Sequence, residues 1–158
     1  MFSIAEGRQA VEFARGTLTW AALSLGLNLL WEIAQLPLYV IPQRAGDAST
    51  VFAILHCTAG DVLIAVGSYL LASLVLRRPD WPSSRPVLGG AFATCAGLAY
   101  TVFSEWYNVY QAGTWAYSPR MPLLLGIGLS PLLQWIVIPI ALLLILHARS
   151  AVTSSQEC

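Results

Sequence analysis

Glu32, His56, Asp61 and Glu105 lie inside stretches of the chain that are otherwise nearly all hydrocarbon. An ionisable side chain at the centre of a bilayer costs about 2.5–3.5 kcal/mol on insertion scales, so such groups face a partner or a cavity rather than lipid. Two or more acids in a partly dry cavity push one another's proton affinities apart, which suits them to donate and accept protons at one site. Glu32, Asp61 and Glu105 are therefore the candidate catalytic residues, with His56 assisting. A lipid-borne double bond, ether or ester is the substrate such proton transfers would suit. Carboxylates and imidazole also bind hard or borderline metals. With one imidazole in the set and no HxxH or HExxH spacing, no metal site is expected. Neither a Walker loop nor GxGxxG or GxSxG occurs. Nucleotide binding and the common serine hydrolases thus find no support, and no cofactor is implied.

The background to these residues defines the class. Of 158 residues, 57% are hydrophobic and only 10% charged, against about 25% charged in a soluble domain. That deficit marks an all-α integral membrane protein, and a single membrane domain accounts for residues 1–158. All eight basic residues are Arg, and the formal net charge is zero, so there is no electrostatic footprint for nucleic acid. Cys57, Cys95 and Cys158 have neither zinc-ligand nor disulfide-framework spacing. The N-terminus lacks the early basic region and short apolar core of a cleavable signal, so the first span is expected to be retained.

A spanning helix needs about 20 mostly apolar residues. Four windows qualify, 17–40, 51–76, 87–110 and 123–147, and they predict a four-transmembrane-helix bundle. The separators run from Pro42 to Ser49, from Arg77 to Pro86 and from Ala112 to Pro122. Pro37, Pro131 and Pro139 fall within or near span ends, where kinks rather than terminations are expected. Phe2 to Phe13 alternates weakly between apolar and polar residues, as a short interfacial helix or a frayed tail would. Arginine bias sets the orientation. Arg8, Arg15, Arg77, Arg78, Arg85 and Arg149 fall on one side, and only Arg44 and Arg120 on the other. Both termini are thus expected in the cytoplasm.

With that orientation the strongest polar groups of all four spans reach one depth, in the outer leaflet. Ser24, Asn28, Glu32 and Gln35 make a single helical stripe, and Thr94, Thr101, Glu105 and Asn108 make a second. Ser130 and Gln134 supply the fourth span. Asn28, Gln35, Asn108 and Gln134 are the candidate polar ligand-binding residues. The alternative is that these groups glue helices together, at a measured average near 0.6 kcal/mol. Trp31, Tyr39, Trp106, Tyr107, Tyr110, Trp115, Tyr117 and Trp135 fall mostly on the outer side, with Trp20 and Trp81 on the inner. They read either as an interfacial belt or, for Trp106, Tyr107 and Trp115, as the wall of a ligand pocket. The segment from Gln111 to Pro122 is expected to form a lid over the outer cavity. Its Arg120 would meet a lipid phosphate, pair with an acid of the cluster, or snorkel to the headgroups. His147, beside Arg149, is expected to be an interfacial anchor.

The stretch Glu32-Ile-Ala-Gln35-Leu36-Pro37-Leu38-Tyr39 resembles the Glu…Gln-Leu-Pro-aromatic turn of the EXPERA group, which includes sterol isomerases and the sigma-2 receptor. That resemblance implies a compact four-helix membrane bundle, a sterol- or isoprenoid-like ligand, and Glu32 as its cation or proton partner. Trp115-Ala-Tyr-Ser-Pro-Arg-Met-Pro122 and Gly126-Ile-Gly-Leu-Ser-Pro-Leu-Leu-Gln134 look like bacterial four-span membrane proteins of uncharacterised function, which implies a bacterial inner-membrane setting. The leading expectation is a protein that binds or modifies a membrane lipid or isoprenoid, with double-bond isomerisation the most natural reaction. Two alternatives stand beside it: an accessory subunit that binds another membrane protein or its own copies, and a small transporter or proton pathway.

Overall fold

The computed structural model describes residues 4–40 and 46–156, with side chains from 7–40 and 50–149. Pro42, Arg44 and Cys158 lie outside the described residues, as does the side chain of Ser49. The chain is mostly helical, and four helices are long and apolar enough to cross a membrane. These are α1 (Ile4–Gln35), α2 (Gly46–Leu76), α4 (Pro86–Trp106) and α5 (Leu129–Gln156), with the single-turn α3 (Trp81–Ser84) between the second and third. Neighbouring helices pack in the order α1–α2–α4–α5 and back to α1. Their outward faces carry Leu18, Leu30, Leu63, Leu74, Val87 and Leu144, all well exposed.

Helix ends follow local chemistry. α1 stops at Gln35 because Pro37 offers no backbone donor and disfavours helical geometry at Leu36. The chain tightens into a 3₁₀ turn over Leu36–Leu38 and becomes extended at Tyr39. Pro37 thus ends its helix, where a kink was expected. α2 closes with Arg77 left-handed at φ 51°. Arg77 N–H donates to Leu74 O at 3.2 Å and Arg78 N–H to Ser73 O at 3.0 Å, a Schellman closure followed by Pro79. α4 opens on Pro86, whose missing donor would have no partner there anyway, and widens into a π-turn over Tyr107–Ala112 that ends at left-handed Gly113.

Several boundaries depart from the sequence reading. α1 runs without a break from Ile4, so the segment 4–13 is neither a separate interfacial helix nor a frayed tail. Residues 123–128 form a hairpin of β3 (Leu123–Leu124) and β4 (Ile127–Gly128), and the last helix starts at Leu129 rather than at Leu123. A second short pairing joins β1 (Tyr39–Val40) to β2 (Ala116–Tyr117). These strands are the exceptions to an all-α fold.

The apolar core fills the end of the bundle away from the acids. Trp20, Tyr69 and Trp81 form a triangle with ring centroids 5.4–5.6 Å apart, and Ala72, Ala93, Ile138 and Leu142 pack with them. Each polar tip is satisfied: Trp20 Nε1 donates to Ala65 O, Trp81 Nε1 to Tyr69 O and Tyr69 Oη to Pro79 O. Trp20, Trp81 and Trp135 are therefore core residues, which corrects the expectation that they sit in an interfacial belt. The indole rings of Trp81 and Trp135 lie directly on Gly89 and Gly97 of α4, where any Cβ would overlap them.

Gly89→Ala and Gly97→Ala should each lower stability by about 1–3 kcal/mol, the usual cost of overpacking. Gly26→Ala, whose Cβ would meet nothing within 4 Å, should be neutral or slightly stabilising. Thermal unfolding in detergent checks this, and equal losses at all three positions would contradict it.

Candidate functional site

At the other end the four long helices enclose a cavity of about 560 Å³. Its wall takes Glu32 and Gln35 from α1, Cys57, Gly60 and Asp61 from α2, Thr101 and Glu105 from α4, and Pro131 and Gln134 from α5. No Arg is among the described residues that line it.

One network ties α1, α2 and α5 together, with the Gln134 amide at its hub. Gln134 Nε2 donates to Asn28 Oδ1 at 2.9 Å and to Asp61 Oδ2 at 2.9 Å, with Glu32 Oε1 at a longer 3.5 Å. The Glu32 and Asp61 carboxyls are thus joined through one amide nitrogen. The stripe on α1 supplies the rest. Asn28 Nδ2 donates back to Ser24 O and Oγ, and Gln35 Nε2 donates to Glu32 Oε1 at 2.6 Å. Ser130 Oγ donates to Gln35 Oε1 at 2.8 Å and accepts from Trp31 Nε1 at 3.3 Å. Asn28 holds the hub from behind and does not itself line the cavity.

Glu105 stands apart, on α4, only 6% exposed. Its Oε2 accepts from Tyr117 Oη at 2.7 Å and from Tyr39 Oη at 3.2 Å. Tyr39 and Tyr117 face each other in the β1–β2 pairing, so one short ladder delivers two phenols to one oxygen. Ser118 secures that ladder by donating from its backbone N to Leu38 O and from its Oγ to Pro37 O. Burial, with Glu105 alongside, pushes the Tyr117 phenol well above its ordinary range, so it stays a proton donor. Trp115 Nε1 is directed toward the same carboxyl, yet it is buried without a well-formed hydrogen bond.

Of the expected ligand-binding residues, Gln35, Asn108, Trp115 and Gln134 line the cavity. Asn108 does so while donating its Nδ2 to Ser104. Trp106 and Tyr107 do not line it. They point outward and pack on Phe103, because Glu105 takes the inward face of α4 and its immediate neighbours must turn away. Arg120 is exposed and outside the cavity wall. His56 lies at the rim, exposed and stacked on Phe52 at 5.6 Å between centroids. His147 is exposed at the far end. Among the described residues no group of three or more His, Cys, Asp or Glu side chains is arranged to hold a metal ion. The segment expected as a lid is a strap that covers Glu105 and is pinned to the end of α1 by the β1–β2 ladder.

Sequence reasoning missed the two-phenol clamp on Glu105. Tyr39 and Tyr117 read from sequence as interfacial aromatics, and only strand pairing between positions 78 apart brings them together. No protein-family model matches the chain, and no similar curated protein or solved structure was found.

Removing the phenols should expose the dependence of Glu105 on them. Tyr117→Phe and Tyr39→Phe should each cost about 0.5–1.5 kcal/mol, more for Tyr117 because its bond is shorter, and the double change more than either. A double variant with an unchanged thermal midpoint would contradict the clamp.

Proposed function

We propose that the chain is a four-span membrane protein whose cavity binds a lipid or isoprenoid and modifies it by proton transfer. One observation carries the reading: a cavity of about 560 Å³ brings three carboxyls from three helices to one space, with no Arg in its described wall and His56 only at its exposed rim. Two carboxyls that share the Gln134 amide, Glu32 and Asp61, line the cavity together with a separate carboxyl that has two phenol donors, Glu105. Such unlike acids suit donation at one point of a substrate and abstraction at another, as double-bond isomerisation requires. The EXPERA-like segment 32–39 supports the same ligand class, since its Glu32 and Gln35 both line the cavity.

The proposed setting is a bacterial inner membrane. Arg8 and Arg15 begin α1, and Arg77, Arg78 and Arg85 surround α3, all at the end filled by the aromatic core. The positive-inside rule places that end in the cytoplasm and the cavity toward the outer leaflet. Two observations weigh against the other readings. The polar stripes are turned inward, with Asn28, Gln35, Thr101 and Glu105 all buried, so they are not free to bind a partner helix. The cytoplasmic half is filled by Trp20, Tyr69, Trp81 and Leu142, which offers no polar route for a transported ion.

Native mass spectrometry with lipid extraction tests the binding reading. Glu105→Gln and Asp61→Asn should each reduce the co-purified lipid about tenfold or more, the equivalent of one lost charge-assisted hydrogen bond, while circular dichroism stays unchanged. Undiminished lipid in both variants would refute it. Orientation has its own test: green fluorescent protein fused after residue 158 should fluoresce, and alkaline phosphatase there should be inactive. The reverse pattern would invert the topology.

A further inference from the structure

The cavity is open on one side, between α2 and α4. Phe52, His56 and Tyr100 form its rim, and all three are exposed. From that rim a furrow of about 390 Å³ continues along the α2–α4 seam. It shares Gly60, Ile64 and Tyr100 with the cavity and runs on past Gly67, Ser68 and Ala96. Gly60 to Gly67 is seven residues, about 10 Å along the helix.

The glycines here behave differently from those under the tryptophans. A Cβ added at Gly60 or Gly67 would meet nothing within 4 Å. Neither glycine makes room for a helix contact, yet each weakens its helix relative to Ala. What they leave is an open apolar furrow that leads out of the carboxyl-lined cavity.

The chamber specifies the head group that could enter. Three carboxyls and no Arg in the described wall, with His56 out at the exposed rim, disfavour a phosphate or any other anion. At Glu105 both phenols donate to Oε2, which leaves Oε1 without a hydrogen bond among the described residues. Trp115 Nε1 beside it is a buried donor directed at the same carboxyl without a well-formed hydrogen bond, and a buried donor left so is destabilising. An open acceptor next to an orphan donor is the complement of a hydroxyl group, which donates one hydrogen bond and accepts another.

Building on the lipid-binding reading above, we propose that the occupant is an uncharged single-chain lipid alcohol. Its hydroxyl donates to Glu105 and accepts from Trp115 Nε1. Its hydrocarbon chain leaves the chamber past Gly60 and lies in the α2–α4 furrow. The chain is prenyl or straight, since both present the same hydroxyl and the same width of hydrocarbon.

Photolabelling of the full chain in phosphatidylcholine nanodiscs tests this, with a long-chain alcohol that carries a diazirine at its far end and a short-chain alcohol labelled likewise. The long probe should label peptides that contain Gly67 or Ala96. Unlabelled long-chain alcohol should compete, and the corresponding alkyl phosphate should not. Gly67→Phe, and Ala96→Phe from the facing wall, should each cut long-probe labelling about tenfold, or about 1.4 kcal/mol, and leave short-probe labelling unchanged. Thermal midpoints confirm that the variants fold. Labelling spread over all outward faces, or indifference to both Phe variants, would overturn the furrow. Equal competition by the phosphate would overturn the alcohol head group. The underlying cavity reading fails separately, if the short probe does not label at all or labels Glu105→Gln as well as the parent chain.

Discussion

Carboxyl groups buried or half-buried among hydrocarbon, with neutral partners in place of cations, are the constraint around which this structure is arranged. An unpaired charge in such surroundings is prohibitively costly, so each acid must find hydrogen bonds from another helix. Gln134 meets that need from α5: its two amide hydrogens reach Asn28 on α1 and Asp61 on α2. Tyr39 and Tyr117 meet it for Glu105. Removing either set would leave a buried carboxyl without its donors. The placement of the helices and of the strap over α4 both follow from that requirement.

The two ends of the bundle divide the work. At the far end, large rings close onto glycines, so that α4 approaches α3 and α5 closely and little space remains. Rigid packing there fixes the helix positions from which the acids project. At the cavity end the helices are held by hydrogen bonds and by a two-residue ladder, which leaves a chamber between them. Trp135 belongs to both regions: it is part of the apolar core and also lines the cavity. Side chains projected from helices in this way are more sharply positioned than side chains held on loops.

Much of this was legible in the sequence. Apolar windows located the four long helices, and 3.6-residue periodicity put Asn28, Glu32 and Gln35 on one face of α1. The same periodicity correctly turned Thr101 and Glu105 inward on α4. Other features lay beyond it. Composition cannot distinguish an interfacial tryptophan from a core one, because that depends on whether a glycine on a neighbouring helix admits the ring, as Gly97 admits Trp135. Adjacency in sequence also misleads on a helix: Trp106 and Tyr107 follow Glu105 and for that reason face away from it. The phenol clamp depends on a register between Tyr39 and Tyr117 that no local pattern encodes.

The central claim is that acids from separate helices meet in one hydrogen-bonded chamber, and a double-mutant cycle on Asp61 and Gln134 tests it most directly. Each single change, Asp61→Leu or Gln134→Leu, strands the polar group of the other residue, whereas the double change removes both. If the 2.9 Å contact holds the helices as described, unfolding free energies will be non-additive by about 1 kcal/mol or more, with the double variant less destabilised than the sum of the singles. Strict additivity would show that the two side chains do not touch, and the chamber as described would be wrong.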